Sequence, residues 1–391
     1  MHPTDPLAAV VHPDPYPYYA ALTAGPPLVH HRDLGVWLAT RAASVTAVLA
    51  EPACRVRPAS EPVPRACAGL PAGDLFARLV RMNDTPERHA TPKHALRQAL
   101  DGFDPDRLAR RAAVLAGRER PDPRDGAALD AWLFATPVTV LADWLGFAPD
   151  DWPAVRAALH AFVACLSPLS DPKQLACAND AAQALMARMT ALVAATDAGD
   201  ATLVAAVQRA ARATGWRDAE ARVANLVGLL SQTYEATAGL LGNALIAWLT
   251  RPGLAAALDG RPGADVAALV AETARHDPPV QNTRRYVAAR TQVAGVTLEA
   301  GSTVLVLLAA ANRDPRANPA PERFLLARPA RVTFGFGAGL HRCPGERIAY
   351  AIAAAALGEL VKDWGRPPRG LPAWRYRASA NARLPRFAAP A

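Results

Sequence analysis

From about residue 87 to residue 277, apolar positions recur at the three-and-four spacing of amphipathic helices, interrupted at "RPDPRDG", "APDD", "SPLSDP" and "RPG". The pattern changes after Pro278 and Pro279. There "RRYVAARTQVAGVTL" and "GSTVLVLLAAANRD" read as short strands between turns. The first fifty residues are mixed: a helix at "DPYPYYAALTAG", strand-like pieces at "LVHHR" and "VWLATR", and a second helix at "AASVTAVLAE". Residues 51–80, rich in Pro, Ala and Arg, read as a long loop. No internal repeat, low-complexity linker or charge block divides the chain. The expectation is a single domain over 1–391, mainly α, with a small β region near the N-terminus and across 280–310.

Composition agrees with a large helical core. The chain has 391 residues, of which 51% are hydrophobic and 20% charged, so it is globular and not disordered. The formal net charge of +8 admits a nucleic-acid or partner-binding reading. However, Lys and Arg are scattered, with no basic tail and no aromatic-basic interleaving. The expectation is a solvated surface with one basic patch, and no nucleic-acid partner. The five cysteines, Cys54, Cys67, Cys165, Cys177 and Cys343, form no CxxC pair and are odd in number, which fits a reducing cytoplasm. The opening "MHPTDPLAAVVHPDPYPYYAAL" lacks the pattern of a secretory leader. The longest uncharged apolar run, "IAYAIAAAALG", is too short to span a bilayer, so no membrane is expected.

One cysteine stands apart. In "TFGFGAGLHRCPGERIA", Cys343 follows Gly335, Gly337 and Gly339 and precedes Pro344, Gly345 and an apolar helical pattern. Glycines let backbone amides approach closely, and a helix N-terminus favours an anion. Both stabilise a thiolate, which is a ligand that haem iron can use. Two other readings stay open on these residues alone. Cys343 could be a free thiol in a glycine-rich turn, or it could join His341 in a zinc site, although no second pair at zinc spacing is present.

The pattern of Phe336, Gly339, His341, Cys343 and Gly345 resembles the cysteine-ligand loop of the cytochrome P450 family of haem-thiolate monooxygenases. The resemblance extends over nearly the whole chain. It implies a mainly α fold with a small β-sheet region and one b-type haem buried between a long central helix and the Cys343 loop. Cys343 would be the axial iron ligand, with Phe336, Gly337, His341 and Gly345 shaping the loop. It also implies that Glu272 and Arg275 of "AETARHDPP" form a structural ion pair, completed by Arg323 of "PERF". In "RMNDTPERHATPKHALRQAL", His89 and Lys93 have the i, i+4 spacing of residues that hold the haem propionates, with one residue inserted before the His and Pro92 before the Lys. Arg88 and His94 are the alternatives there. Arg285 falls where the family places another propionate-binding Arg, beside Arg284. Thr333 stands where a His is usual, and Arg331 could compensate.

"NLVGLLSQTYEATAGLLGNALIAWL", 225–249, reads as one apolar helix with a polar patch from Ser231 to Glu235. Buried polar groups cost stability unless paired, which invites a functional reading. By resemblance this helix crosses above the iron. Gln232, Thr233, Tyr234, Glu235, Ala236 and Thr237 then occupy the family's acid–alcohol segment. The acid, Glu235, is kept, while the usual Thr is Ala236. Thr233, Ala236, Thr237 and Leu240 share a face. The implied function is oxygen activation and oxidation of a small, largely apolar natural product. Hydroxylation, coupling, ring formation and desaturation remain open outcomes, and a haem protein that binds a ligand without turnover remains an alternative. The implied cofactors are haem b and O2, with electrons from NAD(P)H through ferredoxin and ferredoxin reductase. A monomer is expected. Expected substrate-lining segments are 54–80, 155–200, the long helix, 279–283 and the turn near Asn381.

Overall fold

The computed structural model describes residues 3–166, 170–258, 263–368 and 372–387. They form two compact units. Unit one comprises Met1–Arg55, Pro105–Thr136 and Glu235–Ala391, and unit two comprises Val56–Asp104 and Pro137–Tyr234.

Unit one carries all the strands found among the described residues: β1 (Leu28–His31), β2 (Val36–Ala39), β3 (Cys54–Arg55), β4 (Thr283–Val287), β5 (Thr291–Val293), β6 (Val296–Leu298), β7 (Thr303–Val306), β8 (Arg375–Tyr376) and β9 (Pro385–Arg386). One five-stranded sheet has the order β1-β2-β7-β4-β3, and β5-β6 and β8-β9 are two-stranded hairpins. β2 and β7 pair in parallel, with Leu38 opposite Leu305, and the other pairings are antiparallel. The strands expected in the first fifty residues and across 280–310 are present, whereas β3, β8 and β9 lie outside the expected β regions, and one expected strand segment is cut short. "GSTVLVLLAAANRD" is a strand only to Val306 and then turns into the short helix Leu308–Asn312, whose residues are all buried. Three consecutive alanines favour helix over strand once the β-branched run ends.

Helix Glu346–Trp364 packs in unit one against helix Pro105–Arg118. Ile348, Ile352, Ala356 and Leu360 recur every four residues and are buried, as are Leu108, Ala112 and Leu115 on the partner. The alanines let the two backbones approach. Beneath the sheet, Val45, Val48, Leu298, Val304 and Val306 form a separate apolar cluster.

Unit two is helical. Asp171 caps helix Pro172–Ala195 through a reciprocal box with Gln174, and Thr202 caps helix Leu203–Thr214, which ends at Gly215 with φ +73°. The expected 51–80 loop is only partly a loop. Pro71 starts a helix, Pro71–Arg78, that buries Ala72, Leu75 and Phe76. A Cβ at Gly73 would lie 1.9 Å from the Cys67 carbonyl oxygen, so only glycine lets the preceding turn close on this helix. One described helix, Gly126–Leu145, has the length and hydropathy of a membrane span, but 67% of that window is buried in the protein, as in a core helix.

Candidate functional site

The Cys343 loop is built from its own backbone. Cys343 donates its amide to the Phe336 carbonyl at 2.8 Å, and Gly337 donates to Phe334 at 2.8 Å. Gly337 (φ +70°) and Gly339 (φ +63°) take the left-handed conformations that fold the chain back on itself. A Cβ at Gly339 would also lie 2.9 Å from the Leu49 carbonyl oxygen. Phe336 packs on Tyr350 with ring centroids 5.1 Å apart. Asn312, fully buried and not singled out from the sequence, accepts from the Phe334 amide at 2.6 Å and so fixes where the loop begins. Helix Glu346–Trp364 starts three residues after Cys343, with Gly345 as its N-cap. A Cβ on Gly345 would lie 3.8 Å from the Cys343 sulfur. The thiol is partly exposed, whereas Cys54, Cys67 and Cys165 are buried. Burial pushes the Cys54 thiol up to about 11 and the Cys165 thiol up to about 12, which keeps both protonated.

Glu272 lies under this loop's approach segment, with its side chain and that of Arg275 fully buried and 2.6 Å apart. The third partner is not the expected Arg323, whose side chain is exposed and which supplies only its carbonyl, to Arg275 at 3.0 Å and to Arg328 at 2.5 Å. Arg328 takes that place, with Nε donating to Glu272 Oε1 at 2.9 Å. Arg331 is the fourth member, at 2.9 Å from Oε2. Its guanidinium is therefore turned to Glu272, not left available for a haem carboxylate. Thr333 hydrogen-bonds Tyr350. Burial opposes ionisation of Glu272, but the hydrogen bonds from Arg275, Arg331 and Arg328 outweigh it and hold the carboxyl below its ordinary range. Arg285 is buried in β4 and Arg284 is exposed, so of the two only Arg285 points inward.

The long helix runs Ala219–Thr250. Within unit one, Glu235 accepts from Arg377 Nη2 at 2.5 Å. Residues 11 and 15 further on, Ile246 and Thr250, lie close to the same face. Ala236 is rotated by about 100° from Glu235, and Thr237 is buried at 2% exposure. One turn after Glu235, a Cβ at Gly239 would meet Leu384 and Pro279, each at 2.7 Å. Gln281 donates its amide to the Asn381 carbonyl at 2.8 Å, and Val280 bridges Ala382. Three of the expected substrate-lining segments therefore converge in unit one: the long helix, 279–283 and the turn near Asn381.

In unit two, His89 is buried and sits in a π-turn, Pro86–Ala90, just ahead of helix Thr91–Asp101. A π-turn holds one more residue than an α-turn. Lys93 follows in the first turn of the helix and is partly buried, while Arg88 and His94 are exposed. Thr233 is partly buried, and Gln232 is exposed with its amide donated back to Gly228 at 2.8 Å. Next along the helix, Tyr234 is buried and hydrogen-bonds His160 Nδ1 at 2.7 Å, a partner the sequence did not indicate. Among the described residues no three His, Cys, Asp or Glu side chains converge as a metal site, so the zinc reading of Cys343 and His341 gains no further ligand.

Comparison with known proteins points the same way. The cytochrome P450 family model matches residues 266–364. Cytochrome P450 monooxygenase PikC of Streptomyces venezuelae is 29% identical, covering 89% of this chain and 83% of that protein. Protein DesVIII of the same organism is 32% identical over 83% of this chain and 73% of its own length. The crystal structure of CalO2 superposes with a TM-score of 0.79 at 25% identity and covers 99% of both chains. With its folded cysteine loop, its buried Glu272 and Arg275 and these relatives, the chain belongs to the cytochrome P450 family and is an oxidoreductase of that type.

Proposed function

We propose that this protein is a haem-thiolate monooxygenase that oxidises a small, largely apolar natural product. The observation that carries the reading is the Cys343 loop. Cys343 is partly exposed three residues before a helix begins, and among the described residues no three His, Cys, Asp or Glu side chains converge as a metal site. Iron held there must bring its other ligands with it, as a porphyrin does. The residues present therefore fit a haem.

Cys343 would hold the iron as a thiolate, with Phe336, Gly337, His341 and Gly345 keeping the backbone close. Arg285 is assigned to the haem carboxylates, and by the resemblance His89 and Lys93 carry the same assignment. Bound haem supplies oxygen activation, which no side chain of this chain can perform. The chain's own part is to hold substrate, exclude water and pass protons. Glu235 is the acid for that last task, and Thr233, Gln232 and Thr237 supply its polar surroundings. Ala236 offers no hydroxyl, so a substrate hydroxyl or amine, or an ordered water, has to take its place. That feature also supports a second reading, in which the outcome is coupling, ring formation or desaturation. Electrons are assigned to ferredoxin and its reductase, with NAD(P)H as the source, in the cytoplasm.

The test is spectroscopic. Reduced protein under carbon monoxide should show the red-shifted Soret band of thiolate ligation, and Cys343→Ser and Cys343→His should lose it. Retention of the band in either variant would remove Cys343 as ligand. Turnover with ferredoxin, reductase and NAD(P)H then separates an enzyme from a haem protein that only binds a ligand.

A further inference from the structure

Within unit one lies a cavity of about 1310 Å³ that no residue of the Cys343 loop lines. The hairpin β8-β9 forms one wall. Its register places Arg375 directly opposite Arg386. Like charges facing each other across an antiparallel pair repel, at a spacing of roughly 5 Å between their Cβ atoms. Arg377, two residues along from Arg375, shares that face of the hairpin.

Counter-charge is unevenly supplied. Arg377 is paired with Glu235. Among the described residues Arg386 is paired only with Asp130, at 3.8 Å. Arg375 has no ion pair among the described residues. Arg251, also in the cavity wall, lies over the Phe324 ring at 4.9 Å and likewise has no ion pair among the described residues. The deeper arginines are engaged. Arg383 donates to Asp277 and to the carbonyls of Val10, His12 and Pro13, and Arg313 donates to His276 and Pro321. Burial and the neighbouring Arg313 push His276 down to about 2, so it adds no charge. Exposed Asp14 and Glu322 also line the cavity, away from the hairpin in sequence.

We propose that this cavity is a second binding site, for an anion that carries two or more phosphate groups. Arg375, Arg386 and Arg251 are the phosphate ligands. A guanidinium binds phosphate through two parallel N–H groups, and a diphosphate between Arg375 and Arg386 turns their repulsion into attraction. A single carboxylate would relieve only one of them. The half-buried Phe324 and the exposed Trp374 add flat apolar surface for the body of the ligand. A nucleoside diphosphate and an isoprenoid diphosphate share this chemistry.

Calorimetry of the purified holoenzyme with inorganic pyrophosphate tests the site. The expected result is one pyrophosphate per chain, bound more weakly as salt is raised. Arg375→Gln with Arg386→Gln should weaken it at least tenfold while leaving the carbon monoxide spectrum intact. Because the double variant removes a repulsion, its thermal midpoint without pyrophosphate should not fall, and pyrophosphate should no longer raise it. ADP and geranyl diphosphate form the second arm: the one that binds tighter than pyrophosphate, with the gain lost in Trp374→Ala, identifies the body. Failure of pyrophosphate to bind at millimolar concentration, or equal affinity in the double variant, would overturn the proposal. Neither outcome touches the thiolate assignment, which the Cys343 variants judge separately.

Discussion

Glu235 and Arg377 are 142 residues apart in sequence and share a 2.5 Å hydrogen bond between Oε1 and Nη2. The acid assigned to proton transfer is thus held by the C-terminal hairpin. Its carboxylate is positioned by the Arg377 guanidinium, and it moves only if that contact opens.

The pair separates a functional role from a structural one. Its side chains are 35% and 24% exposed, so solvent screens the contact and its loss should cost no more than about 1 kcal/mol of stability. We expect Arg377→Gln to leave the thermal midpoint within a few degrees of wild type. If Glu235 passes protons, the same variant should change product formed per NAD(P)H consumed several-fold, in the direction of Glu235→Gln. Unchanged coupling in both variants would remove Glu235 from proton transfer.

The Glu272 cluster makes the opposite prediction. Arg328 is 3% exposed and its partner is fully buried. Loss of Arg328 removes one of three guanidinium donors to the buried carboxylate and takes a hydrogen bond from each of the Pro319, Ala320 and Arg323 carbonyls, at a cost of roughly 1–3 kcal/mol for each buried group left unsatisfied. Arg328→Gln should therefore lower the urea midpoint severely. Arg323→Gln, at the position the family pattern indicated, should change stability by no more than about 0.5 kcal/mol. Equal losses in the two variants would contradict the observed geometry.

The same cluster sets an acid limit. The Glu272 carboxyl is held below its ordinary pKa in the folded protein. Its contribution is complete above the unfolded value, about 4.3, and is lost as pH falls from there through the folded value. Stability measured from pH 7 to pH 3 should fall below pH ~4 more steeply in wild type than in Glu272→Gln. Should that variant not fold, Arg331→Gln serves: it removes one donor to Glu272 from a side chain 20% exposed, while Arg275 and Arg328 stay in place, and should lessen the slope. Parallel curves would show that Glu272 does not carry this pH dependence.

What the sequence showed and what it hid follow from distance along the chain. The Cys343 loop was legible because its parts lie within ten residues and its geometry is made by local glycines and local hydrogen bonds. Glu272 with Arg275 was legible for the same reason, being one helical turn apart. Arg328 was not, because 320–332 has no periodicity and a long guanidinium can reach Glu272 from several positions in it. The π-turn at His89 was not expected, because no residue pattern in "TPERHATPK" distinguishes it from an ordinary helical turn. Arg377, His160 and the facing Arg375 and Arg386 depend on pairings of distant segments, which no spacing records. The helix Pro71–Arg78 was masked by a proline that reads as a breaker but acts as a first helical residue.

By resemblance Ala236 falls where the family has a Thr, and its role can be decided. It lies one residue from Glu235 and is partly buried, and the neighbouring Thr237 hydroxyl is rotated by about 100° around the helix. If the missing hydroxyl is supplied by the substrate, Ala236→Thr should raise coupling with substrate analogues that lack their polar group by several-fold. It should do little for the true substrate, or crowd it and raise its KM. If an ordered water held by Thr233 and Glu235 supplies the proton, Thr233→Gly and Glu235→Gln should each lower coupling with every substrate alike. A ferric spectral titration of each variant gives substrate affinity independently of turnover, so a loss of binding is not mistaken for a loss of proton transfer. An analogue without the polar group that couples as well as the true substrate in the unaltered enzyme would rule out substrate assistance.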